Sequence, residues 1–280
     1  MFDKKALRRI KLVVSDLDGS ILNSNAEISS YTRTLIAKLG AKGVKFTFAS
    51  GRVSSALNKY VNELNIALPV IALDGCCICY PSTGEVISES YIPAKFVRRA
   101  LNFADKYLLN VVLCRNEAIY YTESNSVIKD IMDKFGARYE EVNSYVRLES
   151  KTLEVVFTSD YKQNILHAKN KLSFPYALGL NVSYYKSQKN DGIYYLELRR
   201  KGVNKGTALK KLLRKLSIKQ SRVAVIGDWY NDISLFETGA LKITLENGVP
   251  ELKKKADIVI PKTNDQEGVA EFLEMLLKVN

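Results

Sequence analysis

The sequence predicts an α/β fold in which a parallel-sheet core is interrupted by an inserted α+β domain. Three observations carry this expectation. Apolar strand-like runs alternate with helix-period segments as far as Gly75, which is the βαβ rhythm of a parallel sheet. Between roughly Gly84 and Gly192 strand-like runs follow one another with fewer helices, and at Gly202 the alternation resumes. The 280 residues exceed a typical single domain, and a hydrophobic content of 46% with 10% aromatic residues can fill two cores.

Taken in order, buried strands are expected over Leu12–Ser15, Val44–Ala49 and Val70–Leu73, with helices near Ile28–Leu39 and Val53–Leu64. PSTGE at 81–85 reads as a hairpin turn, and VISESYI, NVVLCR and AIYYT read as the strands of the insertion. After Gly202 a helix is marked by apolar positions Leu209, Leu212, Leu213 and Leu216. Strands at Val223–Ile226, Leu241–Leu245 and Ile258–Ile260 follow, with a helix between the first two and a short helix before the last. A final amphipathic helix carries Val269, Phe272, Leu273, Leu276 and Leu277. These assignments give a Rossmann-like core over residues 1–83 and 193–280 and a cap-like insertion over 84–192.

Composition narrows the function classes. The basic N-terminal stretch meets Asp16 after a short apolar run and lacks a small-residue cleavage site, so neither a signal peptide nor a membrane span is expected, and the default location is cytoplasmic. Cys76, Cys77, Cys79 and Cys114 lack the paired spacing of a zinc site and read as reduced core residues. His167, the single histidine, sits in a helix-like stretch and reads as structural. The net charge of +12 admits a nucleic-acid-binding protein as a rival reading, but the lysines and arginines are scattered and no nucleic-acid motif accompanies them. The same charge can draw phosphate esters toward a cleft.

Four segments carry chemistry. In VVSDLDGSIL, Asp16 and Asp18 follow the first buried strand, and carboxylates two apart on an extended chain address one side. Carboxylates so close are tolerable only with a cation between them or a proton on one. VKFTFASGR ends a strand in Ser50 and Gly51, whose hydroxyl and backbone N–H groups suit phosphate oxygens or a helix cap. GVNKG opens a helix with Lys205 near its first turn, where the macrodipole disfavours a cation and asks for an anion beside it. RVAVIGDWYND sets Asp228, Asn231 and Asp232 after another buried strand, a donor set that suits a hard cation such as Mg²⁺.

In order and spacing these segments resemble the haloacid dehalogenase-like phosphatases, in particular the Cof-type branch with a large α/β cap, whose motifs read DxDG(T/S), (T/S)GR, a lysine in GV(S/N)KG, and GDxxND. The resemblance extends into YLEL, ELKKKADIVI and NDQEGVAEFL, so it covers both ends of the chain and the middle only weakly. It implies a Mg²⁺-dependent phosphatase acting on small phosphomonoesters, sugar phosphates first among them, through an aspartyl-phosphate. Asp16 would be the nucleophile and Asp18 the general acid and base. Leu17 and Gly51 through backbone N–H groups, with Ser50, Lys205 and Asn231, would bind the phosphate. Asp16, Asp228 and the Asp18 carbonyl would hold the metal, and Asp232 would support Lys205. The insertion would act as a lid that sets specificity.

Departures from the pattern concern the substrate. Asp74 stands where such proteins commonly have asparagine, so Asp74 and Arg52 are candidate substrate-side residues; Arg200 replaces a frequent proline, and Trp229 and Tyr230 fill the variable pair. A phosphotransferase or phosphomutase would use every one of these core residues. A small phosphorylated metabolite is the expected partner, no nucleic acid or membrane is expected, and the chain would be a monomer or homodimer.

Overall fold

A computed structural model of the chain describes residues 4–127, 136–173, 178–187 and 192–280. These fall into two compact units: Met1–Gly51 with Asn58–Glu85 and Asn204–Asn280, and Arg52–Leu57 with Val86–Val203. From the N-terminus the elements are α1 (Lys4–Arg8), β1 (Leu12–Ser15), α2 (Ser30–Ala41), β2 (Lys45–Phe48), α3 (Ser54–Glu63), β3 (Val70–Ala72), β4 (Cys77–Cys79) and β5 (Val86–Glu89). Next come α4 (Ala94–Tyr107), β6 (Asn110–Cys114), β7 (Ile119–Tyr121), β8 (Tyr139–Glu141), β9 (Glu154–Ser159), α5 (Lys162–Leu172), β10 (Leu180–Lys186) and β11 (Tyr194–Arg200). The chain ends with α6 (Lys205–Leu216), β12 (Val223–Ile226), α7 (Ile233–Phe236), β13 (Leu241–Leu245), α8 (Pro250–Lys255), β14 (Ile258–Ile260) and α9 (Gly268–Leu277).

The first unit is built on a parallel sheet in the order β14-β13-β12-β1-β2. A bridge between Ala49 and Ile71 continues it toward β3. Leu12–Ser15 and Val223–Ile226 are buried at every position, as strands covered on both faces must be, which is why every residue in them but Ser15 is apolar. From β1 the chain winds one way to β2 and β3, while β12, β13 and β14 extend the other way. The strand order therefore reverses between β1 and β12, and open α/β sheets bind ligands at the carboxyl ends of the strands at such a point.

The second unit has its own sheet, β10-β11-β9-β6-β7-β8, antiparallel except where β7 pairs with β8. One face packs Val155, Phe157, Leu113, Leu196 and Leu198 against Val97, Ala100 and Ala104 of α4 and Ile165, Ala168 and Leu172 of α5. The alternate residues of β9 and β11 bring Arg199 within 2.6 Å of both Glu154 and Glu197.

Several expectations shift. The boundary expected at residue 193 lies later: Tyr194–Arg200 is a full partner of β9 and β10, so the second unit runs to Val203. Helix α4 was not foreseen, although Phe96, Val97, Ala100, Leu101, Ala104 and Tyr107 recur at helical spacing and pack into the core of the second unit. The turn after Tyr80 closes as expected, with the Tyr80 N–H donating to the Glu85 carbonyl at 2.8 Å. All four cysteines are buried and none is joined in a disulfide. His167 lies in α5 with its ring 4.7 Å from that of Tyr107, a packing position. Among the described residues no helix is long and apolar enough to cross a membrane.

Candidate active site

The carboxyl ends of adjacent strands deliver the site. Asp16 follows β1 and its N–H donates to the Ile226 carbonyl of β12 at 2.9 Å, so it stands at the reversal of strand order. Ser50 follows β2 and Asp74 follows β3, and the Asp74 N–H donates to the Ser50 carbonyl at 3.0 Å. Asp228 follows β12. Asp16, Ser50, Asp74 and Asp228 are buried, and Asp232 and Lys205 have no exposed surface at all.

After Asp16 the chain does not remain extended. Residues Leu17–Ile21 form one wide turn closed by the Leu22 N–H on the Leu17 carbonyl at 3.0 Å, with Asp18 at φ −77° and ψ 127° and Gly19 at φ 73°. The two aspartates are therefore not consecutive positions on one side of a strand. Asp18 still lies close enough to Asp228 to raise the latter's pKa. Gly19 is required twice over. Its φ is positive, and a Cβ there would sit 2.2 Å from Asp228 Oδ2. Ser20, whose part in the site was not foreseen, donates its hydroxyl to Asp228 Oδ1 at 2.9 Å. Its only sequence signal is the Ser that completes DLDGS.

Lys205 is the first residue of α6, after Asn204, whose side chain caps the helix by accepting from the Thr207 N–H. The anion that this position calls for is supplied twice: Nζ donates to Asp16 Oδ1 and to Asp232 Oδ1, each at 2.7 Å. Asp74 Oδ1 is 3.8 Å from the same nitrogen. Gly206 lets the first turn of α6 pass against α7, since a Cβ there would fall 1.9 Å from the Ser234 carbonyl oxygen. Asp232 turns its other oxygen to the N–H groups of Asp228 and Trp229 at 3.0 and 3.1 Å. Asn231 Nδ2 donates to Asp74 Oδ1 at 2.9 Å.

Burial pushes the Asp16 carboxyl well up, as do the Asp232 and Asp228 charges, while Lys205 pulls it down. Burial and then the Asp232 carboxylate raise Asp228 to about 7, against the hydroxyl of Ser20. Burial alone would lower Lys205, but the carboxylates of Asp16, Asp232 and Asp74 outweigh it and raise it. The cluster thus holds more carboxylates than the Lys205 ammonium can neutralise. Asp16, Asp228 and Asp232 each offer an oxygen within 4.8 Å of the others. An all-oxygen, anionic group of this kind fits a hard divalent cation such as Mg²⁺.

The expected residues are distributed as follows. Asp16, Asp74, Lys205, Asn231 and Asp232 are joined by the contacts above, and Asp228 joins them through the Asp232 carboxylate on its N–H. Ser50 and Gly51 adjoin Asp74, the former through its carbonyl and the latter with its Cα side toward Asp74 Oδ1. Leu17 is fully buried at the start of the wide turn. Arg52 is buried and groups with the second unit.

Comparison with known proteins agrees with this geometry. Residues 13–273 match the family described as haloacid dehalogenase-like hydrolases. The chain is 28% identical to a Streptococcus pyogenes protein over 93% of this chain and 96% of the relative. It is 26% identical to the 5-amino-6-(5-phospho-D-ribitylamino)uracil phosphatase YwtE of Bacillus subtilis, covering 96% and 98% of the two chains. A crystal structure of a haloacid dehalogenase-like hydrolase from Bacteroides thetaiotaomicron superposes with a TM-score of 0.84 at 26% identity, over 95% of this chain and 98% of that one. With a family match running through nearly its whole length, this chain belongs to the haloacid dehalogenase-like hydrolases.

Proposed function

We propose that the protein is a Mg²⁺-dependent phosphatase that hydrolyses small phosphomonoesters through an aspartyl-phosphate on Asp16. The observation that carries the reading is the convergence of Asp16 and Asp232 on Lys205, 189 and 27 residues away in sequence, with Asp228 alongside. Such a cluster has the parts that phosphoryl transfer needs: a carboxylate nucleophile, a cation for phosphate oxygens, and a carboxylate set for a metal.

In the proposed reaction an Asp16 oxygen attacks phosphorus, the ester P–O bond breaks, and the departing alkoxide takes a proton from Asp18. Asp18 then accepts a proton from water as the water attacks the acyl phosphate, which releases inorganic phosphate and restores Asp16. Lys205 holds Asp16 Oδ1 and so fixes the plane of the attacking carboxylate. Ser50, Lys205, Asn231 and the N–H groups of Leu17 and Gly51 would receive the remaining phosphate oxygens. Held by Asp16, Asp228 and the Asp18 carbonyl, Mg²⁺ would offset the repulsion between carboxylate and phosphate.

Sugar phosphates are the first substrate class to test. The name of the Bacillus subtilis relative adds a phosphorylated ribityl compound, which is likewise the phosphomonoester of a polyhydroxylated chain. The test is phosphate release from a panel of phosphorylated metabolites with Mg²⁺ and with EDTA. Release that requires the metal is expected for at least one member. Transfer to a second sugar without phosphate release would point instead to a phosphotransferase or phosphomutase, and no reaction with any ester would overturn the reading.

A further inference from the structure

Asp74 lies where three separate parts of the proposed phosphate site meet. Its Oδ1 accepts from Asn231 Nδ2 at 2.9 Å and is 3.8 Å from Lys205 Nζ. Its N–H holds the Ser50 carbonyl at 3.0 Å. Gly51 leaves room for the same oxygen, since a Cβ on Gly51 would come within 3.3 Å of it. The residue is only 7% exposed and sits at φ 48° and ψ 33°, a left-handed conformation that few residues other than glycine, asparagine and aspartate adopt readily. A buried carboxylate beside the groups that are to receive a dianion opposes ground-state phosphate binding, so its presence asks for a use.

We propose that Asp74 is a positioning residue for the phosphate-binding side chains: it fixes the amide orientation of Asn231, takes up part of the Lys205 charge, and thereby weakens the hold on product phosphate. This inference rests on the phosphatase reading. Asp74 acts through Asn231 and Lys205 and is assigned no proton to transfer. The hydrogen bond orients the Asn231 donor, and the charge limits how tightly the site retains inorganic phosphate after hydrolysis.

Two variants separate the effects, and both residues accept a left-handed backbone, so the turn is kept. Asp74→Asn retains an acceptor oxygen for Asn231 and removes the charge. Asp74→Gly removes both. Inorganic phosphate binding in the presence of Mg²⁺ is measured by calorimetry, and kcat and KM are measured with the best ester from the panel. Asp74→Asn is expected to bind phosphate about 3- to 10-fold more tightly and to lower KM, with a smaller loss of kcat than Asp74→Gly. Asp74→Gly is expected to lose about 10- to 100-fold in kcat, most of which the asparagine variant regains. Wild-type phosphate affinity in both variants, with equal losses of kcat, would overturn the role. If wild-type protein binds phosphate yet cleaves no ester, the phosphatase reading fails while the affinities still decide the part of Asp74. A wild-type protein that binds no phosphate overturns both.

Discussion

Asp232 holds the Lys205 ammonium with one carboxylate oxygen, at 2.7 Å, and the backbone of the Asp228 turn with the other. Through that one fully buried side chain the start of α6 and the loop after β12 are locked together. Removing one partner of a buried ion pair leaves the other uncompensated, at a cost of about 3–5 kcal/mol. Lys205→Met is therefore expected to lose stability of that order in urea unfolding followed by circular dichroism. Adding Asp16→Asn to it should recover part of the loss, because one stranded carboxylate disappears. Strictly additive losses would show that the two residues are not coupled.

The metal-free protein should lose stability as pH rises toward neutrality. Burial and Asp232 lift Asp228 to about 7, so the folded chain holds a proton that the unfolded chain releases near pH 4. The stabilisation from that proton is complete below the unfolded value and is lost as pH passes through the folded one. Relative to Asp228→Asn, wild-type protein in EDTA should fall by up to about 1.4 kcal/mol per pH unit between these limits. A divalent cation competes with the same proton, so Mg²⁺ should stabilise most at the alkaline end of the window. Parallel unfolding curves for the two proteins across this range would contradict the assignment.

Gly19→Ala tests how tightly the Asp228 carboxylate is placed. The added Cβ would lie 2.2 Å from Oδ2 on a backbone at φ 73°, so Asp228 has to move. The strain on the backbone alone is about 1–2 kcal/mol. The concentration of Mg²⁺ giving half-maximal phosphate release should rise about 10-fold or more, a larger change than in substrate KM. An unchanged metal requirement would mean that Asp228 does not hold the ion.

Asp18→Asn should discriminate between leaving groups. An alkyl phosphate needs its alkoxide protonated, and its turnover should fall about 10²- to 10⁴-fold. p-Nitrophenolate departs without a proton, so p-nitrophenyl phosphate should give a burst of nitrophenol followed by slow turnover, because the water that completes the cycle has lost its base. Stopped-flow absorbance reads this directly, and equal losses on both substrates without a burst would remove Asp18 from proton transfer.

The core strands were legible from their apolar positions between turn residues: Val223–Ile226, buried at every position, is an unbroken apolar run, and Leu241–Leu245 and Ile258–Ile260, each with an exposed or half-buried position, also lie where the pattern puts them. The need of Lys205 for an anion could be read from its place at a helix start, and two carboxylates meet it. The shape of the DLDGS turn could not be read, since the wide turn depends on Gly19 passing against Asp228, more than 200 residues further along the chain. Ser20 was missed for the same reason: its hydroxyl finds its partner across that long separation. The limit of the insertion was misplaced because Tyr194–Arg200 has the same apolar alternation whichever sheet it joins, and only the ladder with β9 and β10 assigns it.

The central claim concerns Asp16, and mass spectrometry of the acid-quenched peptide that carries it is the most direct measurement. During turnover of p-nitrophenyl phosphate by the Asp18→Asn variant, that peptide should gain the mass of one phosphoryl group, on Asp16, while Asp16→Asn protein gains none and releases no phosphate. An unmodified Asp16 throughout the nitrophenol burst would contradict the account.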